Sequence, residues 1–320
     1  MAIMKTDGTT NQGFQSWIID PLKTNIYFLY SMGDLIKKEA LKNASGSTFL
    51  EISNSEVKKL KIKYSSKPEQ DKIGNLLSKL DNTLTLLQRK KKKYKALKKA
   101  LLQNLFSKNK EHVPNLRFNG FNNDWYKQKL KYTNTFFTDG NYGEAYPKSS
   151  DFTNHSKGIP FLTGKNLKEG WIDNTSLTFI TKKKHQELTS GHLIEDDIVI
   201  AVRGSLGALG YVNKKNVGWN INSQLAILRT DKTELNGKYL LQFLLSTVGH
   251  AELIKRQTGS ALKQLPINAI KDISVPIISI KEQKKIAGLL SRLDSLILLL
   301  GKKIIILSDF KNFLLQNMFI

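Results

Sequence analysis

A few short segments hold the residues whose types could do chemistry. Glu195-Asp196-Asp197 is a run of three carboxylates, the kind of group that can hold a metal for hydrolysis. The acidic-x-Lys element that follows in a common nuclease site is missing, so the run reads as an acidic turn leading into a strand. Gly158-Ile-Pro-Phe-Leu-Thr-Gly164-Lys165-Asn166 has the glycines and lysine of a phosphate loop. Its spacing is one residue too long, and Asn166 stands where Ser or Thr should meet magnesium. It reads better as a strand ending in a polar turn. There Thr163, Lys165 and Asn166 can contact DNA phosphates or base edges, or form a solvated turn. Arg203-Gly204-Ser205 follows the apolar run Ile198 to Val202. Arginine suits bidentate contact with guanine, and glycine lets the backbone come close; a surface ion pair is the alternative. Asn222, Ser223 and Gln224 can bond adenine or phosphate, or build a turn. Arg256, Gln257, Thr258 and Ser260 can grip phosphate, or cap the helix before them.

Other catalytic equipment is not evident. His112, His155, His185, His192 and His250 are scattered, with no carboxylate at metal-ligand spacing. No Asn-Pro-Pro-aromatic motif for amine methylation occurs, and no two prolines are adjacent. The absence of cysteine excludes disulfides and thiolate zinc sites, and it suits a reducing cytoplasm. We therefore expect a chain without a catalytic site, metal or cofactor of its own.

Charge points to the partner. The 320 residues include 50 Lys and Arg against 27 Asp and Glu, a formal net charge of +23. Such a balance suits a polyanion, because basic side chains release counterions from phosphates. An anionic membrane surface would also fit. No apolar run reaches spanning length, however, and Met1 to Gly13 is polar rather than signal-like. The densest run is Arg89-Lys90-Lys91-Lys92-Lys93, followed by Lys95, Lys98 and Lys99. With no carboxylate among them they repel one another, which favours an anionic partner, either DNA or an acidic protein face.

An internal repeat must position these groups. Gly46 to Phe106 aligns without a gap to Gly259 to Phe319, at a constant offset of 213, with 22 of 61 positions identical. Each copy ends in heptad-like apolar spacing: Ile73, Leu77, Leu80, Leu84 and Leu87 in one, Ile286, Leu290, Leu293, Ile297 and Leu300 in the other. Pro68 marks the entry to the first helix. A helix of nearly 40 residues is roughly 55–60 Å long, and two could pair as a rigid spacer. Lys91 breaks the first seam where the second has Ile304.

After Phe106 a polar stretch reads as a linker. Short β-rich runs follow: 159–163, 178–181, 197–202, 209–212 and 226–229, separated by turn signals such as Asp139-Gly140-Asn141. Gly237 to Lys255 reads as one helix. Together these predict a mixed α+β domain. Asn11 to Ser45 resembles only its tail, with Asn11-Gln12-Gly13-Phe14-Gln15 in the place of Asn222-Ser223-Gln224-Leu225-Ala226, and Ile26 to Lys37 loosely parallel to Leu241 to Lys255.

Three features together resemble the specificity subunits of Type I restriction–modification systems. One is Val113-Pro114-x-Leu116-Arg117-Phe118-x-Gly120-Phe121-x-x-x-Trp125. Another is Gly259-Ser260 leading to Glu282-Gln283-Lys284-Lys285-Ile286-Ala287, echoed at Gly46 and Glu69-Gln70. The third is Arg203-Gly204-Ser205 followed by Asn222-Ser223-Gln224. The resemblance spans essentially the whole chain. It implies an α+β architecture of target recognition domains plus two long helices in an antiparallel coiled coil. The implied chain is a non-catalytic, cytoplasmic subunit that binds double-stranded DNA and docks methyltransferase (modification) and motor-nuclease (restriction) subunits. S-adenosylmethionine, ATP and Mg²⁺ are then expected on those partners. The expected domains are a first-recognition-domain remnant at 1–68, a long helix and linker start at 69–110, a complete recognition domain at 111–278, and a second long helix at 279–320. The short first domain leaves two expectations: another chain supplies the missing part, or the chain is a remnant that binds methyltransferase without reading a complete site.

Overall fold

A computed structural model describes residues 1–11, 13–44, 50–106 and 113–319. Gly46, where the first repeat copy begins, and His112 with the start of the linker lie outside the described residues. The helices are α1 (Ile26–Ser31), α2 (Gly33–Lys42), α3 (Asn54–Lys59), α4 (Lys67–Asn104), α5 (Lys182–Glu187), α6 (Gly237–Leu245), α7 (Thr247–Lys255), α8 (Ile267–Lys271) and α9 (Ile280–Asn317). The strands are β1 (Tyr126–Lys129), β2 (Phe136–Asp139), β3 (Phe152–Thr153), β4 (Gly158–Leu162), β5 (Leu167–Lys168), β6 (Trp171–Ile172), β7 (Thr178–Thr181), β8 (Ile198–Ala201), β9 (Leu209–Tyr211), β10 (Asn220–Ile221), β11 (Leu225–Arg229) and β12 (Ser274–Ile277). They form two compact units: Met1–Tyr94 with Leu296–Ile320 (unit 1), and Lys95–Ser295 (unit 2).

The repeat produces helices of equal length, α4 and α9, each of 38 residues. Pro68 falls in the first turn of α4, where its missing N–H has no intrahelical partner to lose. In unit 1 the start of α4 packs against the end of α9. Ile73 and Leu77 share a core with Phe28, Met32 and Ile36, and Leu314, Leu315 and Phe319 lie against it. Lys311 Nζ reaches Asp81 at 2.6 Å. Lys91 is accommodated by a glycine: a Cβ on Gly301 would lie 3.0 Å from the Lys91 Nζ. The seam lysine thus takes the space left by a missing side chain.

In unit 2 the ends are exchanged. Leu101, Leu105 and Phe106 from the end of α4 join Ile286, Ala287 and Leu290 from the start of α9 in the main core. Lys98 Nζ lies 2.5 Å from Asp294. This pair is the repeat counterpart of Lys311–Asp81, because both its residues are shifted by the same 213. Within each unit, then, the helices run antiparallel. The rest of unit 2 is the α+β domain. One four-stranded sheet has the order β2-β11-β8-β9, antiparallel throughout; another has the order β10-β4-β7-β3, parallel only between β10 and β4. The continuous apolar runs of β8 and β11 are explained by burial on both faces, since all of Ile198 to Ala201 and Leu225 to Leu228 are buried.

The expected single helix over 237–255 is two. Ser246 adopts an extended backbone, its Oγ donates to the Phe243 carbonyl, and the same Oγ accepts from Gly249 N–H. A serine with both roles ends one helix and caps the next.

The two junctions where each long helix begins share one plan. Gln283 Nε2 donates to the Ile278 and Glu234 carbonyls, and its Oε1 accepts from Asn236 N–H. Gln70 Nε2 donates to the Ser65 carbonyl, and its Oε1 accepts from Asn25 N–H. Asn236 and Asn25 in turn cap α6 and α1. Asp231 and Asp20 each hold a turn shortly before. These matches set the N-terminal register: Asn25 pairs with Asn236, so α1 corresponds to the start of α6 and not to Leu241 onward. An aromatic closes each junction from the other helix's end, Phe106 against Tyr239 (5.6 Å between centroids) and Phe319 against Phe28 (5.2 Å).

Candidate nucleic-acid interface

The segments singled out in the sequence meet at one end of unit 2. The loop from Val202 to Ala208 joins β8 to β9. Gly204 and Gly207 take positive φ there, a conformation that costs other residues more. Val202 and Arg203 N–H groups donate to the Gln224 carbonyl. Leu265 N–H donates to the Val202 carbonyl, and Thr258 and Gln264 exchange backbone hydrogen bonds at 2.9 Å. Asn222 N–H reaches the Leu162 carbonyl, which brings in the strand before Thr163. Gly164 lies against Ser205, with space for a Cβ only 3.2 Å from the serine's own Cβ. Four segments far apart in sequence are therefore stitched together, largely by backbone bonds.

Their side chains divide by burial. Lys165, Arg203, Ser205, Gln224, Thr258 and Ser260 are exposed. Thr163, Ser223, Arg256 and Gln257 are intermediate, while Asn166 and Asn222 are buried. Asn166 accepts from Thr163 N–H and Oγ1–H, and it donates to the Asp173 and Ser176 carbonyls. It holds the turn that presents Lys165. Asn222 accepts from Gln224 N–H and does the same for the β11 entry. Arg256 bonds Glu252 at 2.6 Å and the Asp272 carbonyl at 2.7 Å, so it locks the end of α7.

The Arg203 guanidinium lies 5.5 Å from the Tyr142 ring centroid, and its Nε donates to Gln264 Oε1 at 3.3 Å. These contacts orient an exposed arginine through its Nε and one face of its guanidinium. Beside it is a cavity of about 270 Å³ lined by Asp139, Tyr142, Arg203, Gln264 and Asn268. Partial burial, with Asp139 beside it, holds the Tyr142 phenol above its usual pKa, so it remains a neutral hydrogen-bonding group. Tyr142 and Gln264 were not singled out in the sequence. The Asp139-Gly140-Asn141 turn was the available signal: a Cβ on Gly140 would sit 2.4 Å from the Asn222 carbonyl oxygen, so only glycine brings Tyr142 to this end.

The carboxylates of 195–197 point elsewhere. Asp197 is fully buried and forms a two-bond pair with Arg229, at 2.8 and 2.9 Å. Asp196 bonds Lys232 and the Tyr211 hydroxyl; burial opposes its ionisation, but these partners outweigh it and hold the carboxyl below its usual range. His185 and His192 both bond the buried Asn220 amide. Among the described residues no group of three or more His, Cys, Asp or Glu could hold a metal ion. No described helix is long and apolar enough to cross a membrane.

On α4, within unit 1, Arg89, Lys90, Lys92 and Lys93 are exposed. On α9, also within unit 1, Leu299, Ile306, Phe310 and Phe313 are exposed at heptad-like spacing, a second apolar stripe besides the one buried against α4.

The family model for the Type I restriction modification DNA specificity domain matches residues 1–96 and 142–307. The chain belongs to this family of specificity subunits. Among similar proteins, the Type I restriction enzyme MjaIX specificity subunit of Methanocaldococcus jannaschii is 28% identical over 334 aligned positions, covering 99% of this chain and 73% of that one. A putative MjaX specificity subunit from the same organism is 24% identical, over 89% of this chain and 65% of its own length. The crystal structure of a Type I system S subunit from M. genitalium shares the fold, with a TM-score of 0.64 at 19% identity, covering 94% of this chain and 74% of that one.

Proposed function

We propose that unit 2 reads part of a DNA target through the surface around Arg203, and that the long helices dock methyltransferase subunits, which restriction subunits join in the full complex. One observation carries the reading: exposed Lys165, Arg203, Gln224 and Thr258, drawn from four separate segments, share one end of unit 2. An arginine held by Tyr142 and Gln264 is suited to a guanine edge, and Gln224 to adenine. The net charge of +23 supplies phosphate attraction. Arg89, Lys90, Lys92 and Lys93 add a basic face for DNA backbone or an acidic partner surface. The apolar stripe on α9 is suited to a partner helix. In this reading the chain performs no chemistry, and S-adenosylmethionine, ATP and Mg²⁺ reside on the partner subunits.

The test is to map methylated adenines in DNA modified by the chain together with its methyltransferase subunits. Methylation confined to one sequence context is expected. Arg203→Ala should weaken specific DNA binding by about 10- to 100-fold, the worth of one bidentate base contact, with no shift in the unfolding midpoint. Co-purification with methyltransferase but no sequence preference in the methylated sites would reject the reading role and leave docking alone.

A further inference from the structure

Unit 2 closes its helix junction with residues 117–130. Arg117 donates through Nε and Nη2 to the two oxygens of Glu282, at 2.8 and 3.0 Å, and Glu282 is buried. Trp125 and Leu130, both buried, flank β1. That strand pairs antiparallel with β12, from Tyr126↔Ile277 to Lys129↔Ser274. Beneath it Ile277 is 4% exposed.

The repeat places Lys61 to Tyr64 where unit 2 has β12, and Glu69 where it has Glu282. In unit 1 Ile62 packs against the core, but among the described residues no strand pairs with Lys61 to Tyr64 and no arginine meets Glu69. The backbone of Lys61 to Tyr64 makes no hydrogen bond among the described residues. Tyr64, the counterpart of Ile277, is 68% exposed. Glu69 is exposed and has no ion-pair partner among the described residues. Between them opens a cleft of about 630 Å³ whose lining includes Phe28, Ile36, Ile62, Tyr64, Glu69 and Phe319. An unpaired edge beside an apolar cleft invites strand addition. The Ser65 hydroxyl, in the same lining, is buried without a partner among the described residues. Glu69 adds a charge for which unit 2 shows the complement, an arginine.

We propose that this cleft docks the opening segment of a recognition domain carried on another polypeptide, with arginine, tryptophan and leucine spaced as Arg117, Trp125 and Leu130 are. The incoming strand pairs with Lys61 to Tyr64, its tryptophan and leucine fill the cleft, and its arginine meets Glu69. The copy of that segment at residues 117–130 is already held in unit 2, so the proposed occupant is a second copy of it, offered in trans. The inference rests on the proposed function only for the class of that partner.

The probe is a fluorescent synthetic peptide of residues 113–132, titrated with the full chain and followed by anisotropy. Saturable binding of one peptide per chain is expected, with slowed hydrogen exchange at Lys61 to Tyr64. A peptide carrying Trp125→Ala should bind at least tenfold more weakly, as should the unaltered peptide to chain carrying Glu69→Lys. A peptide with Arg117→Glu should recover affinity for the Glu69→Lys chain. Absence of saturable binding, protection confined to other residues, or indifference to Glu69→Lys overturns the proposal. DNA binding through Arg203 is measured separately, so either idea can fail alone.

Discussion

Gln283 and Gln70 occupy the same place in the repeat and do the same work, joining a long helix to the capped helix beside it. Their neighbours differ. Glu282, next to Gln283, is buried under Arg117, whereas Glu69, next to Gln70, faces outward. The helix junction is therefore built in both units from the same three parts, a glutamine, a capping asparagine and a closing phenylalanine, with or without a β body around it. The seal over the junction is not shared. It depends on a segment that enters from elsewhere, and the same glutamate is a buried ion in one unit and a surface charge in the other.

The sharpest way to break this comparison is at the seal. Arg117→Met leaves the Glu282 carboxylate buried and unpaired, and about 3–5 kcal/mol of stability should be lost in urea unfolding. Its counterpart, Glu69→Gln, should change stability by less than about 0.5 kcal/mol. Equal effects would mean that Glu69 is sealed too. Next in size are the glutamines. Gln283→Ala strips partners from three backbone groups and should cost about 3 kcal/mol; Gln70→Ala strips two and should cost about 2 kcal/mol. The smallest effects belong to the reciprocal ion pairs. Lys98→Ala and Lys311→Ala should each cost about 1 kcal/mol or less and fade in high salt, because both pairs are partly exposed. If one cost several times the other, the equivalence of the two helix contacts would fail.

Much of the fold was legible in the sequence. The repeat gave both long helices, and the runs at 178–181 and 209–212 are strands within a residue of their expected limits. β1 and β12 escaped notice because their alternation is weak: Tyr126 to Lys129 is mostly exposed, and its role is backbone pairing. The break at Ser246 was hidden because apolar spacing continues through it. At the candidate interface, sequence found the segments but could not rank their side chains. Asn166 and Lys165 are adjacent and equally polar, yet one is tied into its turn and the other is free. Tyr142 was missed because its position depends on the close approach of Gly140 to Asn222, a contact between residues about eighty apart.

Lys91 and Gly301 carry a further consequence. A chain that contains nearly the same helix twice risks pairing like with like, across two molecules, with little loss of apolar contact. The lysine and the glycine remove that ambiguity. If two first-copy helices met antiparallel, Lys91 would face Gln88 in the position of Gly301, with no room for its stem. If two second-copy helices met, Ile304 would face Gly301 and leave a void. The unlike pair seats the lysine over the glycine, so this one mismatched position favours the sister helix over a second copy of the same one.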